Sequence, residues 1–370
     1  IFPVSVKLIG KNELNGKIIG NVYAINTIGS VAGAIITVLL ILPAGGLSIT
    51  LYILSGILLS LGILWLFISK KKLTYLVFLS IIFWMFLIFL DQYLNFINRP
   101  ANLIYKKESS LNSIQIIENK DAIFVFQNDP HFVQSIYYKI DTVKSDIWHS
   151  YLLANMFLEN SKTKNVLLLG FGAGTTASYY KKYYPDYKIT GVEIDREMVN
   201  AGKRYIIKDF KNIQILIDDA RSALYKINDE FDIVVCDTFV FPYFPPHLST
   251  VEFFYLLKKR TAKNGIVLIN VGRYKSDDYI VKKVIAGLGK FYKKIYRYDI
   301  GMYNSIIFAT DNENVFSTDF LPKPLRICGE DFIRRAKAII YNEKENFLRD
   351  GEYKSELWTH IIGFKYLLGL

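Results

Sequence analysis

An apolar run that breaks into glycines, followed by a second run that ends in an acid, is how a parallel α/β sheet presents a nucleoside. Val166-Leu-Leu-Leu-Gly-Phe-Gly-Ala-Gly174 and Gly191-Val-Glu-Ile-Asp195 have that form. Gly170, Gly172 and Gly174 would let a ligand approach the backbone, and Glu193, one strand over, would take the ribose hydroxyls. Two more acids follow apolar runs: Asp219 in Ile217-Asp-Asp-Ala-Arg221 and Asp237 in Val235-Cys-Asp-Thr238. Ligands of open α/β sheets bind along the C-terminal ends of the strands, so acids there are candidates in a way that surface acids are not. Asp219 is expected to accept from an adenine amino group and Asp237 to face a transferable group, with Asp195 a weaker candidate. A dinucleotide site wants its third glycine one position later, where a pyrophosphate meets the helix N-terminus. Thr175 stands there, so a dinucleotide is not the expected ligand.

The elements that must position these residues can be read from periodicity. Strands are expected at Val166–Leu169, Ile189–Ile194, Ile213–Ile217, Asp232–Cys236 and Gly265–Val271. Helices are expected at Trp148–Glu159, Glu197–Tyr205 and Glu252–Arg260. That alternation is the signature of an α/β sheet with helical crossovers. Between Ser113 and Lys139, apolar residues alternate at Ile114 and Ile116, then at Ile123 and Val125, around the turn Glu118-Asn-Lys-Asp121. A small antiparallel β-region is therefore expected ahead of the main sheet.

The front of the chain has a different texture. The protein has 370 residues, 51% of them apolar, and a mean hydropathy of +0.21. No Lys, Arg, Asp or Glu occurs from Ile18 to Ser69 or from Leu73 to Leu90. The first stretch is long enough for two bilayer crossings hinged at Pro43-Ala-Gly-Gly46, the second for one. Helices are expected near Ile18–Leu42, Leu47–Ser69 and Leu73–Leu90, and three apolar runs exclude a signal peptide. The chain begins at Ile1, and more of this region is expected upstream. The expected domains are a transmembrane region of about three spans at 1–97, a small β-region at 98–150, a catalytic α/β domain at 151–322 and a basic tail at 323–370. Lys70-Lys-Lys72 favours a cytoplasmic loop between the second and third spans. A third full crossing would then carry the rest of the chain outward, against Arg99, Lys106 and Lys107 and against adenosyl chemistry. A multi-pass membrane location with a cytoplasmic catalytic domain is the expectation adopted.

Composition narrows the function classes further. The formal charge of +11 suits a neighbour of anionic lipid at least as well as a nucleic-acid binder, and no compact basic block with interleaved aromatics is present, so nucleic acid is not an expected partner. Cys236 and Cys328 are too few for a disulfide framework, and no cysteine–histidine spacing suggests a metal.

With these motifs in order, the chain resembles the spermidine synthases and related polyamine aminopropyltransferases. That family carries a G-x-G-x-G strand end, then V-E-I-D, then D-D-[AG], then a D-[ST] catalytic loop. Here Gly170–Gly174, Val192–Asp195, Asp218–Ala220 and Asp237-Thr238 stand in the same order. Glu108-Ser-Ser-Leu-Asn-Ser-Ile-Gln-Ile-Ile117 is similar to the family's opening strand and places Asn112 on its cofactor-reaching polar residue. Phe126-Gln-Asn-Asp-Pro-His-Phe-Val-Gln-Ser135 is similar to the next strand pair and places Gln134 on the family's glutamine. Tyr23-Ala-Ile-Asn-Thr-Ile-Gly-Ser30 and Pro245-Pro-His-Leu-Ser-Thr-Val-Glu-Phe-Phe254 resemble the branch in which a transporter-like helical region is fused to the synthase domain.

The resemblance implies a Rossmann-like sheet of the S-adenosylmethionine-dependent methyltransferase type, preceded by the small antiparallel region and transmembrane helices. It implies aminopropyl transfer from decarboxylated S-adenosylmethionine to a putrescine-like amine, without a metal. Asp237 would be the catalytic base and His149 its orienter. Asn112, Gln134, Gly170, Gly172, Gly174, Glu193, Asp219 and Ala220 would hold the donor. Membrane lipid is an expected partner, and homodimerisation is left open. The chain departs from the family at Ala173, where an aspartate stands in the glycine turn, at Trp148-His149-Ser150, which keeps the histidine of Y-H-E and loses its acid, and after Asp237, where no second loop aspartate follows. The donor half is complete and the acceptor half is not. His247 is a candidate for the acceptor pocket or a histidine packed between neighbours. Two other readings stay open on the residues: a methyltransferase using intact S-adenosylmethionine, and a non-catalytic ligand-sensing domain of a membrane transporter-like protein.

Overall fold

The computed structural model describes residues 16–68, 74–97, 99–128, 133–158, 164–238, 245–273, 278–313, 316–339 and 347–351. The Lys70–Lys72 loop, Asp129–Phe132 of the second resembling segment and Phe239–Pro242 after Asp237 lie outside the described residues. The chain forms two compact units, Ile1–Ser113 and Ile114–Leu370.

The N-terminal unit is helical. Helix α1 (Gly16–Ile36) runs through a π-helical turn (Thr37–Ile41) into α2 (Leu42–Ile68), and α3 spans Thr74–Ile97. The expected hinge is a backbone break at Gly46, at φ 71° and ψ −174°. A break frees backbone N–H groups that need acceptors. Glu108, at the end of strand β1 (Leu103–Glu108), supplies one: it accepts from the Ser48 amide at 3.1 Å and the Ser48 hydroxyl at 2.8 Å. Helix α3 continues past Leu90, where the sequence reading ended it, because Asp91 has a partner in the Tyr52 hydroxyl. Trp84 Nε1 donates to Ser55 Oγ at 2.9 Å, a second polar tie between α2 and α3. The stretch Ile19–Ile41, 23 residues at a mean hydropathy of 2.1, is long and apolar enough to cross a membrane. The apolar helical stretches Ser48–Leu64 and Val77–Tyr93 are shorter.

The C-terminal unit opens with an antiparallel meander. Strand β2 (Ser113–Glu118) pairs with β3 (Ala122–Gln127), and β3 with β4 (Val133–Tyr138). A short helix α4 (Ile147–Ser150) and a 3₁₀ segment (Tyr151–Phe157) follow, where the sequence suggested one continuous helix. Every residue of that 3₁₀ segment is buried, and packing on all sides overrides local helix propensity.

The main sheet contains β5 (Asn165–Leu169), β6 (Lys188–Glu193), β7 (Ile213–Ile217), β8 (Phe231–Cys236), β9 (Thr261–Gly272), β10 (Lys294–Ile300), β11 (Asn304–Thr310) and β12 (Lys337–Ile339). Their order across the sheet is β12-β10-β11-β9-β8-β5-β6-β7. Strands β7, β6, β5, β8 and β9 run parallel, while β11, β10 and β12 are antiparallel. This is the Rossmann-like methyltransferase-type sheet, with its smaller antiparallel sheet in front. The crossovers carry helices α5 (Thr175–Tyr183), α6 (Arg196–Tyr205), α7 (Ala220–Lys226) and α8 (Val251–Arg260). Helices α9 (Tyr279–Leu288) and α10 (Arg326–Arg335) follow among the described residues.

Side chains of β5 alternate between two cores, as a strand covered on both faces requires. Leu167 and Leu169 pack with Phe253, Phe254 and Val284 on one face. Val166 and Leu168 pack with Tyr151, Tyr180 and Phe332 on the other. Phe332 comes from α10, inside the segment expected as a tail. Its ring is fully buried against Phe157, Phe308, Phe316 and Tyr298. Phe332→Ala should lower unfolding stability by roughly 3–5 kcal/mol, read from the urea midpoint. A loss below about 1 kcal/mol would mean that α10 is not part of this core.

Candidate functional site at the C-terminal strand edge

Register places the candidate residues along one line. Leu169 lies opposite Val192 and Cys236, Glu193 opposite Ile217, and Cys236 opposite Ile269. The residues that follow these strand tips therefore emerge on the same edge: Gly170, Glu193, Asp219, Asp237 and Asn270. A groove of about 660 Å³ at the opposite end of the parallel strands is lined by Asn165, Lys188, Asn212, Asp229 and Glu230 and holds none of them.

The glycine turn is demanded by space. Gly170 has φ 80°, and a Cβ there would sit 2.1 Å from the Asp237 carbonyl oxygen. The turn thus fits flush against the start of the loop that carries Asp237. Gly174 has φ 82° and begins α5, and a Cβ on it would meet Ile207 at 2.4 Å. Gly172 has φ 57° with open space around its Cα, and its amide donates to Glu193 Oε2 at 2.7 Å. The Asp195 amide donates to Glu193 Oε1 at 3.0 Å. Both oxygens are thus oriented by backbone, and each keeps a second lone pair for a ligand hydroxyl. Burial raises the Glu193 carboxyl above its ordinary range, against the lowering effect of these amides. Asp195 caps α6 by accepting from the Glu197 amide at 2.9 Å.

Asp219 caps α7. Its Oδ1 accepts from the Arg221 and Ser222 amides at 3.0 and 2.9 Å, and its Oδ2 lies 2.9 Å from His247 Nε2. Burial opposes ionisation here, yet the Ser222 amide and His247 hold the carboxyl below its usual value. Ala220, the next residue, is buried. His247 therefore sits at the Asp219 end of the edge. Arg221 ties this corner to the C-terminal segment: it donates to the His247 carbonyl at 3.0 Å and to both carboxylate oxygens of Asp350 at 2.7 and 2.5 Å. Nearby, Leu348 is 1% exposed and its carbonyl accepts from the Val251 amide at 2.9 Å.

Asp237 is half-buried at the tip of β8. Its Oδ1 accepts from Asn270 Nδ2 at 2.9 Å. Desolvation raises its carboxyl, opposed by the Asn270 hydrogen bond and by the nearby Tyr151 hydroxyl, which forms no hydrogen bond of its own. The adjacent Cys236 thiol is pushed up by burial to about 12 and stays neutral. His149 is fully buried, with Nδ1 2.9 Å from Asp146 Oδ1 and its ring stacked on Tyr179 at 4.1 Å between centroids. Its Nε2 is buried without a hydrogen-bond partner. Gln134 lies on β4, next to Ser135, whose hydroxyl bonds that of Thr175 at the start of α5. Asn112 belongs to the N-terminal unit, in a turn where its amide donates to Ser109 Oγ at 2.9 Å.

Asn270, Tyr151 and Asp146 were not singled out from the sequence. Asn270 had a signal, since it is the lone polar residue of the apolar run Ile266–Val271. Asp146 stands three residues before His149, the spacing of a helix cap. Tyr151 had none. Among the described residues, no group of three or more His, Cys, Asp or Glu side chains is arranged to hold a metal ion.

Comparison with known proteins agrees with this geometry. Residues 140–318 match the spermine/spermidine synthase domain. A probable polyamine aminopropyl transferase of Bifidobacterium longum (strain NCC 2705) is 29% identical over 171 residues, which cover 46% of this chain and 38% of that protein. A polyamine aminopropyltransferase of Clostridium botulinum (strain Eklund 17B / Type B) is 27% identical over 227 residues, 58% of this chain and 76% of that protein. The crystal structure of a probable spermidine synthase from Corynebacterium glutamicum ATCC 13032 superposes with a TM-score of 0.55 at 20% identity, covering 70% of this chain and 99% of that one. The chain thus spans well under half of the Bifidobacterium protein's length and about three quarters of the Clostridium protein's. The glycine turn, the strand-tip acids and Asn270 all fall within the segment that matches the spermine/spermidine synthase domain.

Proposed function

We propose that the protein transfers an aminopropyl group from decarboxylated S-adenosylmethionine to a primary amine of the putrescine type, releasing methylthioadenosine. The observation that carries this reading is the alignment of Gly170, Glu193, Asp219 and Asp237 on one strand edge inside a synthase domain. The donor supplies an electrophilic methylene beside its sulfonium. Gly170 and Gly172 let it lie against the backbone, Glu193 takes its ribose hydroxyls, and Asp219 with Ala220 meets its base. Asn112 and Gln134 are proposed as further donor contacts. The amine arrives protonated and must lose a proton before it can attack. Asp237 is the proposed base: its raised carboxyl is a better proton acceptor than an ordinary aspartate, and Asn270 orients it. His149 is proposed to shape the wall behind. Its ring is pinned by Asp146 and Tyr179.

The membrane-fused arrangement extends the same reading. Ile19–Ile41 supplies one span, and the apolar stretches of α2 and α3 are proposed as further membrane segments, with lipid as a partner and the catalytic domain on the cytoplasmic side. The domain limits 1–97, 98–150, 151–322 and 323–370, and assembly as a homodimer, are proposed on the same footing. Ala173, Ser150 and Thr238 leave the acceptor side with fewer acids than the resembling synthases. This favours an amine of low charge over a long polyamine, because each lost anionic partner weakens capture of a cation.

Incubating the detergent-solubilised protein with decarboxylated S-adenosylmethionine and putrescine should release methylthioadenosine, detected by mass spectrometry. A protein that instead converts S-adenosylmethionine to S-adenosylhomocysteine is a methyltransferase, and the proposal fails.

Asp237→Asn should lower kcat by about two orders of magnitude with donor affinity largely kept. Turnover near that of the unsubstituted protein would remove Asp237 from the chemistry.

The same substitution has a stability signature. Asp237 titrates higher when folded than when unfolded, so its charge opposes folding at neutral pH, and that cost disappears as pH falls through the folded-state value. Asp237→Asn should therefore melt roughly 2–4 °C higher than the unsubstituted protein at neutral pH, with the gap closing on acidification. A gap that widens toward acid would show that the carboxyl is lowered on folding.

A further inference from the structure

The corner at Asp219 is held by residues from three separate places in the chain. Both of its carboxylate oxygens are engaged, Oδ1 by the Arg221 and Ser222 amides and Oδ2 by His247 Nε2 at 2.9 Å. A carboxylate oxygen has two lone pairs, so one remains on Oδ2. The His247 side chain is half-exposed, and its surroundings alone do not fix the ring. Its backbone is fixed by Arg221, whose Nη1 donates to the His247 carbonyl at 3.0 Å. Arg221 thus touches Asp219 through its amide and His247 through its side chain, and the three residues close a ring of hydrogen bonds. Asp350 keeps the guanidinium in that ring. It accepts from Nη1 at 2.7 Å and from Nη2 at 2.5 Å, a two-pronged pairing that fixes the plane of the group as well as its charge. Asp350 Oδ1 also accepts from Thr250 Oγ1 at 2.9 Å, and its amide donates to Glu252 Oε2 at 3.1 Å. Two residues earlier, the buried Leu348 sits in the core that contains Phe253 and Phe254. The segment 347–351 is therefore anchored on α8 and reaches across to α7.

We propose that Asp350 is a positioning residue for donor binding: through Arg221 it holds His247 on Oδ2 of Asp219, so that the carboxylate presents one fixed lone pair to the amino group of the donor's base. This rests on the donor site assigned above for its effect on binding. The linkage of Asp350, Arg221 and His247 does not. Asp219 is partly exposed, and without His247 its second oxygen would be left to water. Fixing the carboxylate before the donor arrives removes an ordering cost from binding. The effect falls on affinity and not on the chemical step, because Asp237 is oriented separately by Asn270.

Asp350→Asn keeps the size of the side chain and removes its charge. In the detergent-solubilised protein carrying isotopically labelled histidine, the imidazole NMR signal that disappears in His247→Ala should move in Asp350→Asn, with no ligand present. Methylthioadenosine should bind about two- to tenfold more weakly, the range of one lost hydrogen bond. With donor and putrescine, donor KM should rise by the same factor, and kcat at saturating donor should stay within about twofold. In a His247→Ala background, Asp350→Asn should add nothing further to the loss of affinity, as expected of residues that act in series. Asp141→Asn, which breaks the ion pair with Lys182 elsewhere on the surface, should move neither the signal nor the affinity. If Asp350→Asn does not fold, Arg221→Gln takes its place in the same measurements. An unmoved His247 signal, unchanged or tightened nucleoside binding, or additive losses in the double variant would each overturn the proposal. A moved signal in a protein whose affinity for methylthioadenosine is indifferent to Asp219→Ala overturns the donor site assigned above and leaves the linkage in place.

Discussion

The close contact between the glycine turn and the chain leaving β8 is the constraint on which the site depends. Neighbouring parallel strands lie about 4.8 Å apart, so two loops leaving adjacent tips must share very little room. Gly170 resolves this by having no side chain: its Cα faces the Asp237 carbonyl, and a methyl group there would overlap that oxygen. The positive φ of Gly170 turns the chain away at the same point. Asp237 N in turn donates to the Leu169 carbonyl at 2.8 Å, so the last ladder hydrogen bond between the strands ends on the acid itself. Asp237 is thereby held by backbone on one side and by Asn270 on the other before any ligand arrives.

Three carboxylates along one edge are given different properties by their surroundings. Asp219 spends its first oxygen on two helix amides and its second on His247, and it is held ionised. Glu193 and Asp237 are enclosed by the sheet with only neutral donors, and both are raised. Burial, and not the role proposed for each acid, sets the direction, since Glu193 and Asp237 are raised alike. For the proposed base Asp237, a raised carboxyl is a stronger proton acceptor. No nearby cation acts in the raising of Glu193 or Asp237, whereas His247 contributes to the lowering of Asp219. Cys236 shows the same desolvation as the leading cause: its thiol, next in sequence to Asp237, is driven out of the reactive range.

Much of this was legible in the sequence because strands end where the ligand edge begins. Gly170, Glu193, Asp219 and Asp237 each terminate an apolar run, and the parallel order then aligns them without further information. The limits of reading are as physical. Strands β10 and β11 lie beyond the last alternation recognised, yet they complete the sheet and pair over seven residues. Helix α10 looked like a basic tail because its charges face outward, while Leu325, Cys328 and Phe332 are buried. Helix α3 outran its apolar stretch because Tyr52 answers Asp91. Tyr151 was invisible for a related reason: its surroundings are set by other elements, and no spacing in the chain encodes a tertiary contact. Asn270 was the exception, a polar residue in a strand buried on both faces, where burial without a purpose is costly.

The acceptor side can be argued from charge alone. A diamine held at neutral pH carries two positive charges, and each needs an anion or several oriented oxygens to compensate for lost water. Between Asp237 and Glu252 the sequence has no acid, and Ala173 and Ser150 are neutral. In the proposed reaction Asp237 answers the reacting end of such a molecule and leaves its far end to neutral oxygens. Asn270 Oδ1, buried and without a partner, offers a neutral oxygen beside Asp237. A site with one carboxylate and neutral oxygens around it discriminates by matching a single ammonium rather than a string of them. Selectivity of that kind falls on the number of charges in the acceptor, and only secondarily on its length.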